Sequence, residues 1–225
     1  MNEPGSDPYR TPARPPSERA HALSSPYDGQ THMRLVIASG LCRAHVRVDP
    51  SADALITIDP GVGPAPRLRV HGGEARVSWP MSPADWLHAL VTGARDELAI
   101  VLHPAVAWSI AVRGGVSSLT GDLSRATLGG VEVGGGCSDV ELELPKPEGV
   151  VPIRISGGAS RLRVRRPADV GVSVSVHGGV SSLRLDDRRF EAIGGAARLE
   201  SAAPVRGADA YEIEVSGGAS DVEIA

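Results

Sequence analysis

A pair of glycines, or a close variant of it, returns along this chain about every 21 residues. Marked by the first residue of each pair, the series is Gly72, Gly93, Gly114, Gly135, Gly157, Gly178, Gly194 and Gly217, with spacings of 21, 21, 21, 22, 21, 16 and 23. A fixed period of this length is the signature of a stacked repeat. The residues around the glycines carry the same period. Two before each mark stand Val70, Val91, Val112, Val133, Ile155, Val176, Ala192 and Val215. Four before it stand Leu68, Ala89, Ile110, Val131, Ile153, Val174, Phe190 and Ile213. Five after it stand Val77, Leu98, Leu119, Val140, Leu162, Leu183, Leu199 and Val222. Apolar slots two residues apart on either side of a glycine pair predict two short strands per repeat.

Stacking such repeats in register, with strands about 4.8 Å apart, sets like residue on like and builds a continuous aliphatic core. A further column holds Ser117, Ser138, Ser160, Ser181 and Ser220, three residues past the mark, with Ala75 and Ala197 in the same slot. Small residues there allow a tight turn, and their hydroxyls can bond neighbouring peptides. Glycine at the corner permits positive φ and has no Cβ to meet the next layer. Pro145 and Pro167, with Pro104 at nearly the same place, mark the opposite corner. The expected fold is all-β: a single-stranded β-solenoid of about 8–9 coils with a roughly 21-residue period. The alternative is an antiparallel β-sandwich, because SVSVHGGVSSLRL also reads as a hairpin closed by a glycine turn.

The repeat is interrupted in three places. Residues 51–66 lengthen the approach to Gly72, while RLVIASGLC supplies a first coil with Leu35 and Ile37 inward and Ser39-Gly40 at its corner. MSPADWLHALVTGA predicts a short helical insertion near 83–91: Ser82 caps it, Pro83 opens it, and Trp86, Leu87, Leu90 and Val91 line one face. The step from Gly178 to Gly194 is short, at 16 residues. Residues 1–32 hold six prolines among polar residues and are expected to form a disordered Pro-rich tail, leaving 33–225 as the repeat domain.

Composition narrows the function classes. Net charge is −4, which gives no general attraction to nucleic acid. No window reaches the 18 or more apolar residues of a membrane span, and the N-terminus lacks the apolar core of a secretory signal, so a cytoplasmic location is expected. Aromatics make up 3% of the chain. Trp79, Trp86 and Trp108 all lie in the N-terminal half, and Trp79 falls in an inward slot. A long sugar groove needs flat aromatic platforms, so carbohydrate binding is weakly supported, with one small site near Trp86 and Trp108 left open.

Few residues point to chemistry. Asp122 and Asp186 each stand eight past a glycine mark. In sequence order that puts them three coils apart, about 14 Å, too far for paired acid–base work. Corner capping is the expected role of both. His71 and His177 precede glycine pairs, and no histidine sits in metal-ligand spacing. Cys137, in GGCSD, is expected to be a small buried hydrophobe. Neither a metal, nor a cofactor, nor a catalytic residue is expected. Arg163 and Arg184 share the outward column six past the mark, with Glu141 and Glu200 expected to flank them. They are candidate partner contacts, together with Trp86, Leu87 and Leu90.

The runs VPIRISGGASRLRVRRP at 151–167 and YEIEVSGGASDVEI at 211–224 resemble the putative-adhesin family of bacterial β-solenoid proteins. They are also similar to the solenoid tails of membrane proteins that sense cell-wall stress. The resemblance covers roughly residues 33–225. It implies a non-enzymatic scaffold or protein-interaction module, with no catalytic residues to carry over. The expected partner is another protein or a second copy, since the last coil would leave an open strand edge. A carbohydrate-active β-helix and a partner-controlled regulator using the Trp86 segment are the alternatives.

Overall fold

The computed structural model describes residues 22–38, 41–61, 65–79, 97–203 and 209–225, and among them it forms 19 strands and no helix. In chain order these are β1 (Leu23–Pro26), β2 (His32–Ala38), β3 (Leu41–Val48), β4 (Ala54–Asp59), β5 (Arg67–His71) and β6 (Glu74–Ser78). There follow β7 (Glu97–Leu102), β8 (Ala107–Arg113), β9 (Val116–Asp122), β10 (Thr127–Gly134), β11 (Cys137–Glu143), β12 (Val150–Ser156) and β13 (Ala159–Arg165). The last are β14 (Gly171–His177), β15 (Val180–Leu185), β16 (Arg188–Ile193), β17 (Ala196–Glu200), β18 (Ala210–Ser216) and β19 (Ala219–Ile224).

They assemble into two mixed sheets. One has 10 strands in the order β1-β4-β7-β3-β9-β11-β13-β19-β15-β16; the other has 9 in the order β17-β14-β18-β12-β10-β8-β2-β6-β5. Inward side chains of both sheets form one core cluster of Val, Leu and Ile with few aromatics. The aliphatic columns read from the sequence are its rows: Val112, Val133, Ile155, Val176 and Val215 are buried, as are Leu119, Val140, Leu162, Leu183 and Val222.

Two facing mixed sheets fit a sandwich-like arrangement, but the antiparallel pairing expected of it is absent from the middle of each sheet. From β7 to β15 and from β6 to β14, seven successive strands in each sheet pair in parallel. The glycine pairs at 114, 135, 157, 178 and 217 each carry the chain from the second sheet to the first. Antiparallel pairs occur only on the flanks: β1–β4, β4–β7 and β5–β6 at one end, β14–β17 and β15–β16 at the other.

Two glycine pairs differ from the corners the period predicts. Gly72-Gly73 closes a hairpin between β5 and β6, with φ of 57° and 79°; positive φ at both central residues suits a type I′ turn. Here Glu74 and Ala75 follow the glycines, and Glu74 pairs across with His71. At the true corners a small apolar residue and a serine follow. Gly194-Gly195 serves a reversed path. After β15 the chain turns back at Asp186, whose φ is 53°, and β16 runs antiparallel to β15. That reversal shortens the step to 16 residues.

Expectations about the two ends of the fold also change, while others fall outside the described residues. Part of the expected tail is strand: β1 pairs with β4, and the Tyr27 ring stacks on His103 at 3.9 Å. Residues 1–21, the corner Ser39-Gly40 and the expected helix at 83–91 lie outside the described residues. The last repeat is not an open end. β18 lies between β12 and β14, and β19 between β13 and β15, each bonded on both sides. Likewise the first repeat, β2 with β3, lies inside β6 and β7 rather than at an edge.

Candidate interaction surface

The serine column has a geometric cause that the sequence reading missed. Strict alternation would put every second residue inward, yet β11 reads buried, exposed, intermediate, buried from Cys137 to Val140. β9, β13, β15 and β19 repeat this slip at the same place. The pairing register skips the serine in each strand, as in Cys137↔Ala159 followed by Asp139↔Arg161. Every one of these strands slips its inward–outward phase at the same residue while the pairing offset stays constant, and the serine stays on the outside.

Beyond that slip the outward residues of the first sheet line up across strands. Glu141, Arg163, Glu223 and Arg184 form one row, and Asp139, Arg161 and Asp221 another. β11 is acidic outside, β13 basic, β19 acidic and β15 carries Arg184. Arg163 and Arg184 are therefore not neighbours. Glu223 stands between them, 3.7 Å from Arg163 Nε and 3.5 Å from Arg184 Nη1. Glu141 does flank Arg163 in register and pairs with Arg165 at 2.8 Å, while Glu200 belongs to the other sheet. Arg161 meets Asp139 at 3.3 Å. Exposed pairs of this kind contribute roughly 0.2–1 kcal/mol each. They suit the observed strand order, since β13 directly on β15 would set arginine on arginine.

At the far ends of these strands the chain is clasped. Ala225 N–H donates to Val164 O at 3.0 Å, and Arg166 N–H donates to Ala225 O at 2.8 Å. The Arg166 side chain is 3% exposed and reaches Asp186 Oδ1 at 2.7 Å. A buried guanidinium needs such a partner. Asp186 is expected to cap its own turn; instead its carboxylate holds Arg166 and lies 3.5 Å from the Ala202 N–H, beyond β17. Asp122 accepts from the Ser124 hydroxyl at 2.7 Å and caps the β9 corner. The two carboxylates are four strands apart, not three, because β19 intervenes.

Trp108 is fully buried and its Nε1–H donates to His103 O at 3.0 Å, so it offers no sugar platform; Trp79 is buried as expected. Trp86, Leu87 and Leu90 lie outside the described residues. Cys137 is buried, and desolvation pushes its thiol up, as befits a small core residue. His71 and His177 are exposed on separate strands, and among the described residues no three His, Cys, Asp or Glu side chains converge as a metal would need. The corner itself is a shallow open groove of about 810 Å³, floored by glycines and rimmed by Ser138, Ser160, Ser220 and Ser181. No helix of the described residues is long and apolar enough to cross a membrane.

This architecture has a solved counterpart. A crystal structure of a putative cell adhesion protein from Clostridium sporogenes superposes with a TM-score of 0.70 at 18% identity, over 91% of this chain and 98% of that one. Identity this low makes the likeness one of fold. No protein-family model and no curated protein matches the chain.

Proposed function

We propose that this protein is a β-solenoid of adhesin-like type that works as a non-enzymatic protein-interaction module. The solenoid reading is supported by seven parallel layers whose chain steps from sheet to sheet at each glycine corner. The interaction reading rests on one observation, the outward face of the first sheet. There, charged side chains stand in fixed rows of alternating sign, at strand spacing, on a backbone bonded from both sides. Such a face recognises a protein surface with a matching charge pattern and discriminates against others by like-charge repulsion. Arg163 and Arg184 are its proposed contacts. The cell-adhesion name of the Clostridium protein agrees with a binding role.

Site-specific photo-crosslinking in source cells tests the proposal. A crosslinker at Ser182, on this face, is expected to trap a protein partner. The same group at Ser175, on the other sheet, is expected to trap none. Equal labelling from both faces, or turnover of a polysaccharide by the purified protein, would contradict it. A cytoplasmic site of action is part of the proposal, and fractionation of the same cells checks it.

A further inference from the structure

We propose that the C-terminal repeat, β18 with β19, is an exchangeable module: a second copy of this chain accepts it into the same slot, giving a reciprocally swapped dimer. The repeat is not laid on the end of the stack; it enters between layers formed earlier in the chain, and β18 pairs with seven residues of β12 and seven of β14. Every contact that holds it recurs between chains if the repeat comes from a neighbour, which is why swapping is a low-cost route to dimers.

The slot has basic walls, Arg161 and Arg163 on β13 and Arg184 on β15. The repeat that fills it presents Asp221 and Glu223. The occupant is thereby specified as an acidic repeat, and another copy of β18–β19 carries that face.

Glu200 pairs with Ser173 and Ala210 with Gly171, so both ends of the 201–209 connection lie at the same end of β14. They sit on opposite flanks of that strand, two strand spacings or about 10 Å apart. Nine extended residues span up to about 30 Å, so the connection does not tie the repeat to its own slot.

Intramolecular insertion competes at an effective concentration of about 1 mM, which sets the experiment. The full chain carrying Arg163→Cys and Glu223→Cys, with Cys42→Ser and Cys137→Ala, is refolded from urea and then oxidised. Refolding at about 1 mM is expected to give dimers linked 163–223 between chains, at least tenfold more than refolding at about 1 µM. Deleting residues 205–208 is expected to raise the dimer share further. The unsubstituted chain, refolded likewise, is expected to sediment as a dimer that persists for hours on dilution. A monomer with links only within the chain at both concentrations would overturn the proposal. So would a dimer with links only within each chain, which signals association through sheet edges, and so would an unsubstituted chain that stays monomeric. None of these outcomes bears on partner binding by the outward face.

Discussion

At the scale of single residues, the two glycines of a corner have different duties. The first takes φ of 108° at Gly157 and 123° at Gly217. A Cβ on Gly157 would collide with the carbonyl of Gly135, and one on Gly217 with that of Gly157. The second glycine, at 136, 158, 179 or 218, has open space where a Cβ would go. Gly157→Ala is therefore expected to cost at least ~2 kcal/mol of stability, while Gly158→Ala stays within ~0.5 kcal/mol. Urea unfolding midpoints distinguish them. Tyr211 supplies a second test. It is fully buried, and its hydroxyl donates to Pro145 O at 2.7 Å. Burial raises its pKa above the ordinary value near 10. The folded state thus holds the proton longer than the unfolded state. Its stabilisation is complete below pH ~10 and falls as pH rises beyond that. Tyr211→Phe is expected to cost about 1–3 kcal/mol at neutral pH by orphaning the carbonyl, and to flatten the alkaline limb of the stability curve.

At the scale of strands, the order of the repeats agrees with their outward charge. Glu223→Arg would set three arginines in a row across β13, β19 and β15. A loss of about 1 kcal/mol is expected, shrinking in high salt; urea titrations at two salt concentrations measure it. The signal for this order was present in the sequence. GGCSDVELE and GGASDVEIA are acidic repeats, GGASRLRVR is a basic one, and the strand VSSLRL carries a lone arginine. A stack in chain order sets Arg163 on Arg184 and leaves only Glu141 and Glu200, on the outer sides of the pair, to offset the repulsion. The aliphatic columns were legible because burial forces them at every layer. The exceptions lie on flanking strands: Leu68, Val70, Phe190 and Leu199 are only partly buried, and Ala192 is exposed. The hairpin at Gly72 was legible only from Glu74, the residue directly after its glycine pair. Glutamate cannot take the buried slot that Val116, Cys137 or Ala159 fills after a true corner.

At the scale of the whole molecule, the insertion of the last repeat accounts for the charge rows, the clasp at Arg166 and the closed C-terminal end together. The flanks carry antiparallel strands bearing arginines, such as Arg67 and Arg69 on β5 and Arg188 and Arg189 on β16; charged edges discourage edge-to-edge growth. The candidate surface was half legible: the sequence column identified Arg163 and Arg184 as outward, but their shared acidic neighbour comes from 39 residues beyond Arg184. The most direct test compares two cysteine pairs in a chain lacking Cys42 and Cys137. Arg163→Cys with Glu223→Cys joins adjacent strands about 4.8 Å apart, within disulfide range, whereas Arg163→Cys with Arg184→Cys spans twice that distance. Refolded dilute, the first pair is expected to crosslink and the second to remain as free thiols by mass spectrometry. Ready formation of the 163–184 disulfide, with the 163–223 pair unreacted, would place the repeats in chain order and contradict the account.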